Sequence, residues 1–301
     1  MILTSGLAKN RTIRESLSIF SQFYHFVYFS VIKWTSRLKQ GVLITSIDVD
    51  SGSRLIGINN QGKNDHNVHD YLSERIVGEI EEKAVPLLIQ FFDQLEIPVT
   101  FALRGQLTET KSNLIELLLR SAINHDIGAH GYYHKTFTSL SENEAQKELQ
   151  LISIGFRKFG IEPKSFVFPK NKIAYLPLLE KFKYKCYRSA GSLTKDGMYI
   201  KKTGQLYDIH PSFYLGFINN TIFLNQIIDL AIKHRLPVHF WFHPHNLSEA
   251  RGSTRAFIRH VLFPLYKYAK KKEDQGLLTI ETMHSVINKI KPTSSGKEHE
   301  F

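Results

Sequence analysis

The chain has a single cysteine, Cys186, so no internal disulfide framework holds it together, and a reducing compartment suits it. Cys186 lies in the apolar, aromatic stretch "YKCYRS" and reads as a small core residue rather than a nucleophile. A Gly-rich phosphate loop and an internal repeat are both missing, which removes the usual nucleotide cradles and solenoid folds. Long apolar runs are missing too. The most apolar segment, "SLSIFSQFYHFVYFSVI" (Ser16 to Ile32), has 17 residues with Ser, Gln, Tyr and His spread through it, too short and too polar for a spanning helix. No small-residue cleavage site follows it, so it does not read as a secretory signal.

What is present suits a large globular core. The 301 residues are 42% hydrophobic and 22% charged, enough for one barrel-sized domain or two smaller ones. Lys and Arg outnumber Asp and Glu by 39 to 28, a net +11 that favours anionic partners such as phospholipid head groups or phosphate-linked sugars. Charge is the only feature that speaks for nucleic acid, and no reading motif accompanies it. Arg11, Arg14, Lys33 and Arg37 flank the Ser16–Ile32 segment, so residues 1–40 read as a helical extension packed on the domain. Its alternative is an interfacial helix at an anionic membrane.

From residue 42 short β-branched runs alternate with helical stretches. "VLITSI", "PVTFALR", "DIGAH", "SFVF", "KCYR", "LYDIH", "PVHFWF" and "LLTI" predict strands, and the alternation predicts an α/β fold with a parallel sheet, barrel or doubly wound. Apolar residues from Ile76 to Leu95 recur at helical spacing, with Pro86 predicting a kink or a late start. Ser141 and Glu144 have capping-box spacing, and Gly160 marks the helix end. Residues 51–75 read as a long polar loop holding His66 and His69, and 291–301 as a disordered tail.

Three constellations carry chemistry. In "LITSIDVDSG", Asp48 and Asp50 are two apart at a strand end and so point to one side, where like charges repel unless a cation or proton is shared. In "DIGAHGYYHKTF", His130 and His134 have a chelating H-x-x-x-H spacing. In "VHFWFHPHN", His243 and His245 flank Pro244 where a strand gives way to its loop, with His239 further back as a core residue. Alone, the first two read equally as an ordinary turn or a pair of solvated side chains, whereas two histidines flanking a proline at a strand end favour chemistry. Together, one carboxylate and two imidazoles make a facial set for a divalent metal that activates water, with the second carboxylate as base and a histidine as acid.

"SIDVD", "HGYYH", "SFVFPKN", "DIHPS" and "FWFHPHN", in this order, resemble the polysaccharide deacetylases of the chitooligosaccharide-deacetylase homology group over roughly residues 42–290. The resemblance implies a distorted (β/α)7-type barrel at 41–290, and a hydrolase acting on carbon–nitrogen bonds other than peptide bonds. It implies Asp48 as general base, Asp50, His130 and His134 as ligands of Zn2+ (or Co2+ or another first-row metal), and His243, preferred over His245, as general acid. Asp208 or His210 corresponds to the motif that orients that histidine, and a backbone amide near Tyr132 or Tyr133 to the oxyanion donor. Where most members hold the base with an arginine, this chain has Val167, so Lys170 or Arg104 is expected to take over unless the base is held in another way. The implied substrate is an acetylated glycan or a lipid-linked sugar precursor, handled in the cytoplasm or at its membrane face. Two rivals are a D-x-D glycosyltransferase, which leaves both histidine motifs idle, and a catalytically silent sugar-binding domain, suggested by Val167.

Overall fold

The computed structural model describes residues 38–51, 74–188, 198–216, 219–247 and 254–290. The extension up to residue 37, the loop holding His66 and His69, and the tail from 291 lie outside these. Among the described residues ten strands form one sheet: β1 (Gly41–Val49), β2 (Thr100–Leu103), β3 (Asp126–Ala129), β4 (Ser165–Val167), β5 (Cys186–Arg188), β6 (Ile200–Thr203), β7 (Leu206–Ile209), β8 (Phe213–Tyr214), β9 (Pro237–Phe242) and β10 (Leu278–Glu281). Their order is β6-β7-β5-β4-β3-β2-β1-β9-β8, with β10 also pairing with β1. Every pairing is parallel except the β6–β7 hairpin. Helices connect most of the strands, and the sheet curls into the expected distorted barrel.

β1 explains the curl. It is buried along its whole length and has three partners: β9 on one side, β10 beside its first half and β2 beside its second. Strand residues alternate faces, so Leu43, Ile47 and Val49 join the cluster that packs the helices, while Val42 and Ile44 turn into the barrel. There they meet Ala102, Val167, Cys186 and Ile209, with Leu38, Met283 and Val286 closing the end where the strands begin. Going up the same inward face, Ile44 gives way to Ser46 and then Asp48. The lumen is thus greasy at the bottom and polar at the top, where parallel barrels carry their chemistry.

The helix before β2 runs through Glu74–Glu79, a wider π turn at Ile80–Ala84, and Val85–Gln94. Pro86 lies in the first turn after the π segment, and Pro264 follows the π turn at Ile258–Leu262 in the same way. Proline has no N–H for the preceding turn, so the ladder changes register there instead of breaking. The capping box of Ser141 and Glu144 is formed, and Gly160 adopts the left-handed conformation at φ +71°. The strands β6 and β8 were not expected; both are short and lack a full apolar alternation. No helix among the described residues is long and apolar enough to cross a membrane.

Candidate active site

The aspartate pair sits at the top of β1. Asp48 is 2% exposed and is gripped by Arg188, whose Nη1 donates to Oδ1 at 2.7 Å and whose Nη2 donates to Oδ2 at 2.5 Å. Arg188 also donates to Ser46 Oγ at 2.9 Å and to Asn171 Oδ1 at 3.1 Å, and its guanidinium carbon lies 4.3 Å from the Trp241 ring centre. Ser46 lies 2.8 Å from His239 Nε2, and His239 Nδ1 lies 3.3 Å from the carbonyl of Ile209. A carbonyl only accepts, so His239 is protonated on Nδ1 and takes the Ser46 hydroxyl proton on Nε2. Burial holds the His239 pKa down to about 3, helped by the Arg188 charge.

Arg188 therefore occupies the place for which Lys170 and Arg104 were candidates. Lys170 is exposed, in a short 3-10 turn after β4, and Arg104 donates to Gln106 Oε1 at 2.6 Å. The reason lies in the register: Val167 of β4 and Arg188 of β5 are direct partners across a parallel pair, so both side chains enter the barrel at one level. The guanidinium thus comes from the strand next to the one where the resemblance placed it. Val167 keeps a role through its backbone, since its carbonyl lies 2.8 Å from His130 Nδ1. That contact puts the ring proton on Nδ1 and leaves Nε2 of His130 unprotonated, able to accept or to coordinate.

Asp50, His130 and His134 present ligand atoms that all lie within 4.8 Å of one another. His134 Nε2 is 3.7 Å from Asp50 Oδ2, and the two imidazole rings are 4.7 Å apart between centres. The loop between them needs unusual backbone. Gly131 has φ +69° and packs so close to Pro169 that a Cβ would come within 2.9 Å of its Cγ. His134 itself has φ +60°, strain of about 1–3 kcal/mol that persists where surrounding structure imposes it. The main-chain N–H groups of Tyr132 and Tyr133 both donate to Glu148 Oε2, at 2.8 and 3.0 Å. Those two amides, expected as oxyanion donors, thus brace the loop against the Glu142–Arg157 helix instead.

Burial opposes charge throughout the site. It would raise Asp48, but Arg188, His130 and His243 outweigh it and hold the carboxyl below the usual range. Burial likewise opposes ionisation of Asp50, and His243, His134, His245 and His130 together overcome it. His130 is pushed down by burial, and His134 to about 3 by burial and the neighbouring His130. At neutral pH the set is one carboxylate and two neutral imidazoles, the donor chemistry that a divalent first-row cation takes.

His243 faces this set from just past the end of β9, with Nε2 3.8 Å from Asp48 Oδ2. Its Nδ1 lies 3.3 Å from the Tyr214 hydroxyl, Tyr214 donates to Asn246 Oδ1 at 2.9 Å, and the same oxygen accepts the His243 N–H at 2.9 Å. Since the tyrosine proton is already given to Asn246, His243 donates from Nδ1 and turns Nε2 to the site. His245 stacks on His243 at 4.6 Å between ring centres. Asp208 and His210, matched in sequence to the motif that orients His243, lie at the end of β7. Asp208 pairs in register with Tyr187, a residue of the outer cluster, while its neighbour Ile209 enters the lumen; His210 stacks on Tyr199 at 4.4 Å.

Residues 77–182 match the family model for polysaccharide deacetylase. Over that stretch the chain is similar to the polysaccharide deacetylases. A structure from Mycobacterium smegmatis assigned to the polysaccharide deacetylases has 16% identity and a TM-score of 0.65, with 89% of this chain and 98% of that one covered. An allantoinase, Puue, has 12% identity and a TM-score of 0.61, covering 85% and 91%. A mutant of a Bacillus anthracis CE4-family pseudoenzyme has 12% identity and a TM-score of 0.50, covering 83% and 68%. At these identities the solved structures speak to the fold. No curated protein matches the chain. Arg188, Tyr214, Asn246 and Glu148 are the site residues that sequence reasoning missed. Arg188 follows Cys186 by two, so reading Cys186 as core already placed Arg188 on an inward face.

Proposed function

We propose that this protein is a metal-dependent deacetylase that removes the N-acetyl, or O-acetyl, group of an amino-sugar glycan or its precursor. The observation that carries the reading is the division of labour at the end of β1: Asp50 lies with His130 and His134, while Asp48 lies apart on Arg188 with His243 opposite. Asp50, His130 and His134 would hold the cation, with zinc or cobalt suited to such a donor set. A cation there supplies Lewis acidity, polarising an acyl carbonyl and acidifying water. Asp48, kept ionised by Arg188, takes the proton of the attacking water. A carboxylate held this low accepts a proton only from a donor already acidified. His243, fixed by Tyr214 and Asn246, carries a proton on Nε2 to the leaving nitrogen, which departs poorly as an anion.

Val167 was the feature that favoured a silent domain, and the grip of Arg188 on Asp48 removes that argument. A D-x-D transferase would leave His130, His134 and His243 without work. The test is acetate release from a panel of N-acetylated and O-acetylated sugars with added zinc or cobalt. Chelator-sensitive acetate release is the expected result; hydrolysis of nucleotide sugars without acetate would refute the reading.

A further inference from the structure

Of the three side chains that present ligand atoms, Asp50 has the least support of its own. A ligating carboxylate or imidazole is normally hydrogen-bonded from outside, and losing such a partner costs about 10–100-fold in metal affinity. His130 has that partner in the Val167 carbonyl, and the loop that carries His134 is braced by Glu148. Among the described residues no donor reaches the Asp50 carboxylate, whose one ion-pair contact is His134 itself. The sheet stops short of it too. β1 ends at Val49, where the Arg104 N–H donates to the Val49 carbonyl at 3.1 Å, so Asp50 and Ser51 run on past the ladder.

What ties this end of the chain is the residue after Asp50. Ser51 is 2% exposed, and its hydroxyl donates to Glu81 Oε1 at 2.9 Å. Glu81 is itself only 5% exposed, and a glutamate that deep is rare without a partner. Its other oxygen lies 3.3 Å from Lys111 Nζ, which balances the buried charge. Burial lowers the pKa of the neighbouring Arg104, and the charges of Glu81 and then Asp50 oppose it, so one guanidinium feels both carboxylates. Glu81 belongs to the π turn Ile80–Ala84, which buries it beside Ile80 and Ala84. Such widened turns are frequent at functional sites. We propose that Glu81, acting through the Ser51 hydroxyl, is the positioning residue for Asp50: it anchors the two residues beyond β1 and so aims the carboxylate at His130 and His134. The inference rests on the metal site of the deacetylase reading. Each member of the ligand set then has its own brace: the Val167 carbonyl for His130, Glu148 for the loop of His134, and Glu81 for Asp50.

The test is a cobalt titration of the full chain, followed by the visible absorption of the bound ion, for the parent, Ser51→Ala, Glu81→Ala, Glu81→Gln and the double variant Ser51→Ala, Glu81→Ala. Each single alanine variant should bind cobalt about 10–100-fold more weakly. Glu81→Gln keeps an acceptor for Ser51 in the same volume and should retain most of the affinity. Since Ser51 and Glu81 act through one hydrogen bond, the double variant should bind no more weakly than the worse single one. Leu265→Ala, which opens a cavity in the buried face of the Phe263–Asp274 helix, controls for lost stability: its thermal midpoint should fall while its cobalt affinity stays parental. Parental affinity in Ser51→Ala or in Glu81→Ala would overturn the proposal, as would losses that add in the double variant or a Glu81→Gln loss equal to that of Glu81→Ala. A parent that takes up no cobalt would refute the metal site and this inference with it. A parent that binds cobalt tightly, with the losses above, and releases no acetate would sink the deacetylase reading and leave the role of Glu81 standing.

Discussion

Arg188→Val should cripple the protein, and moving the arginine back across one strand should repair it. Arg188 is fully buried and Asp48 is 2% exposed, so removing the guanidinium leaves a carboxylate in the lumen with two hydrogen bonds lost. Breaking a buried pair from one side costs about 3–5 kcal/mol, a large part of the ~5–15 kcal/mol that holds a typical domain together. Burial then acts on Asp48 with its largest opposing charge gone, so its pKa should rise. Turnover should fall by about 10²–10⁴, the share a positioned base supplies. The double variant Val167→Arg, Arg188→Val restores a guanidinium from the neighbouring strand, about 4.8 Å away at the same level. Val167→Arg alone forces two cations into one lumen and should destabilise. The assay is urea unfolding beside acetate release for all three variants and the parent. If Arg188→Val unfolds and turns over like the parent, or if the double variant recovers neither property, the reasoning about Asp48 fails.

Three further outcomes are expected. The folded pKa of His239 is about 3, below its ordinary 6.5, so between those values the unfolded chain binds a proton that the folded chain does not. Its contribution is therefore full above pH 6.5 and is lost as pH falls. From pH 7 to 5.5 linkage gives about 1.3 kcal/mol, a loss that His239→Gln should remove when urea midpoints are compared at the two pH values. Gly131→Ala meets both a positive φ and Pro169, and should cost roughly 1–3 kcal/mol while weakening metal binding in a cobalt titration. Glu148→Ala frees the amides of Tyr132 and Tyr133 and should weaken cobalt binding, whereas Glu148→Gln keeps an acceptor and should retain most of it.

The parallel strands and the cluster of Asp50, His130 and His134 were legible because their signals are local. Apolar runs mark β1 and β9, and the spacings 48/50 and 130/134 put side chains on one side within a single loop. The clamp on Asp48 was harder, because Arg188 is 140 residues away in sequence and only the pairing of β4 with β5 sets its level. Lys170 looked suitable by proximity to the motif, yet the turn after β4 leaves it exposed. The cradle of His243 was hidden for the same reason: Tyr214 lies on a two-residue strand with no alternation to read. The amides of Tyr132 and Tyr133 looked free because nothing in "HGYYH" announces a carboxylate arriving from a helix 15 residues on.

The most direct measurement of the central claim is metal content and acetate release in Asp48→Asn and Asp50→Ala, prepared side by side. Asp48→Asn should retain the metal stoichiometry of the parent and lose turnover; Asp50→Ala should lose the metal. Full metal occupancy in Asp50→Ala, or parental turnover in Asp48→Asn, would contradict the division of labour between the two aspartates.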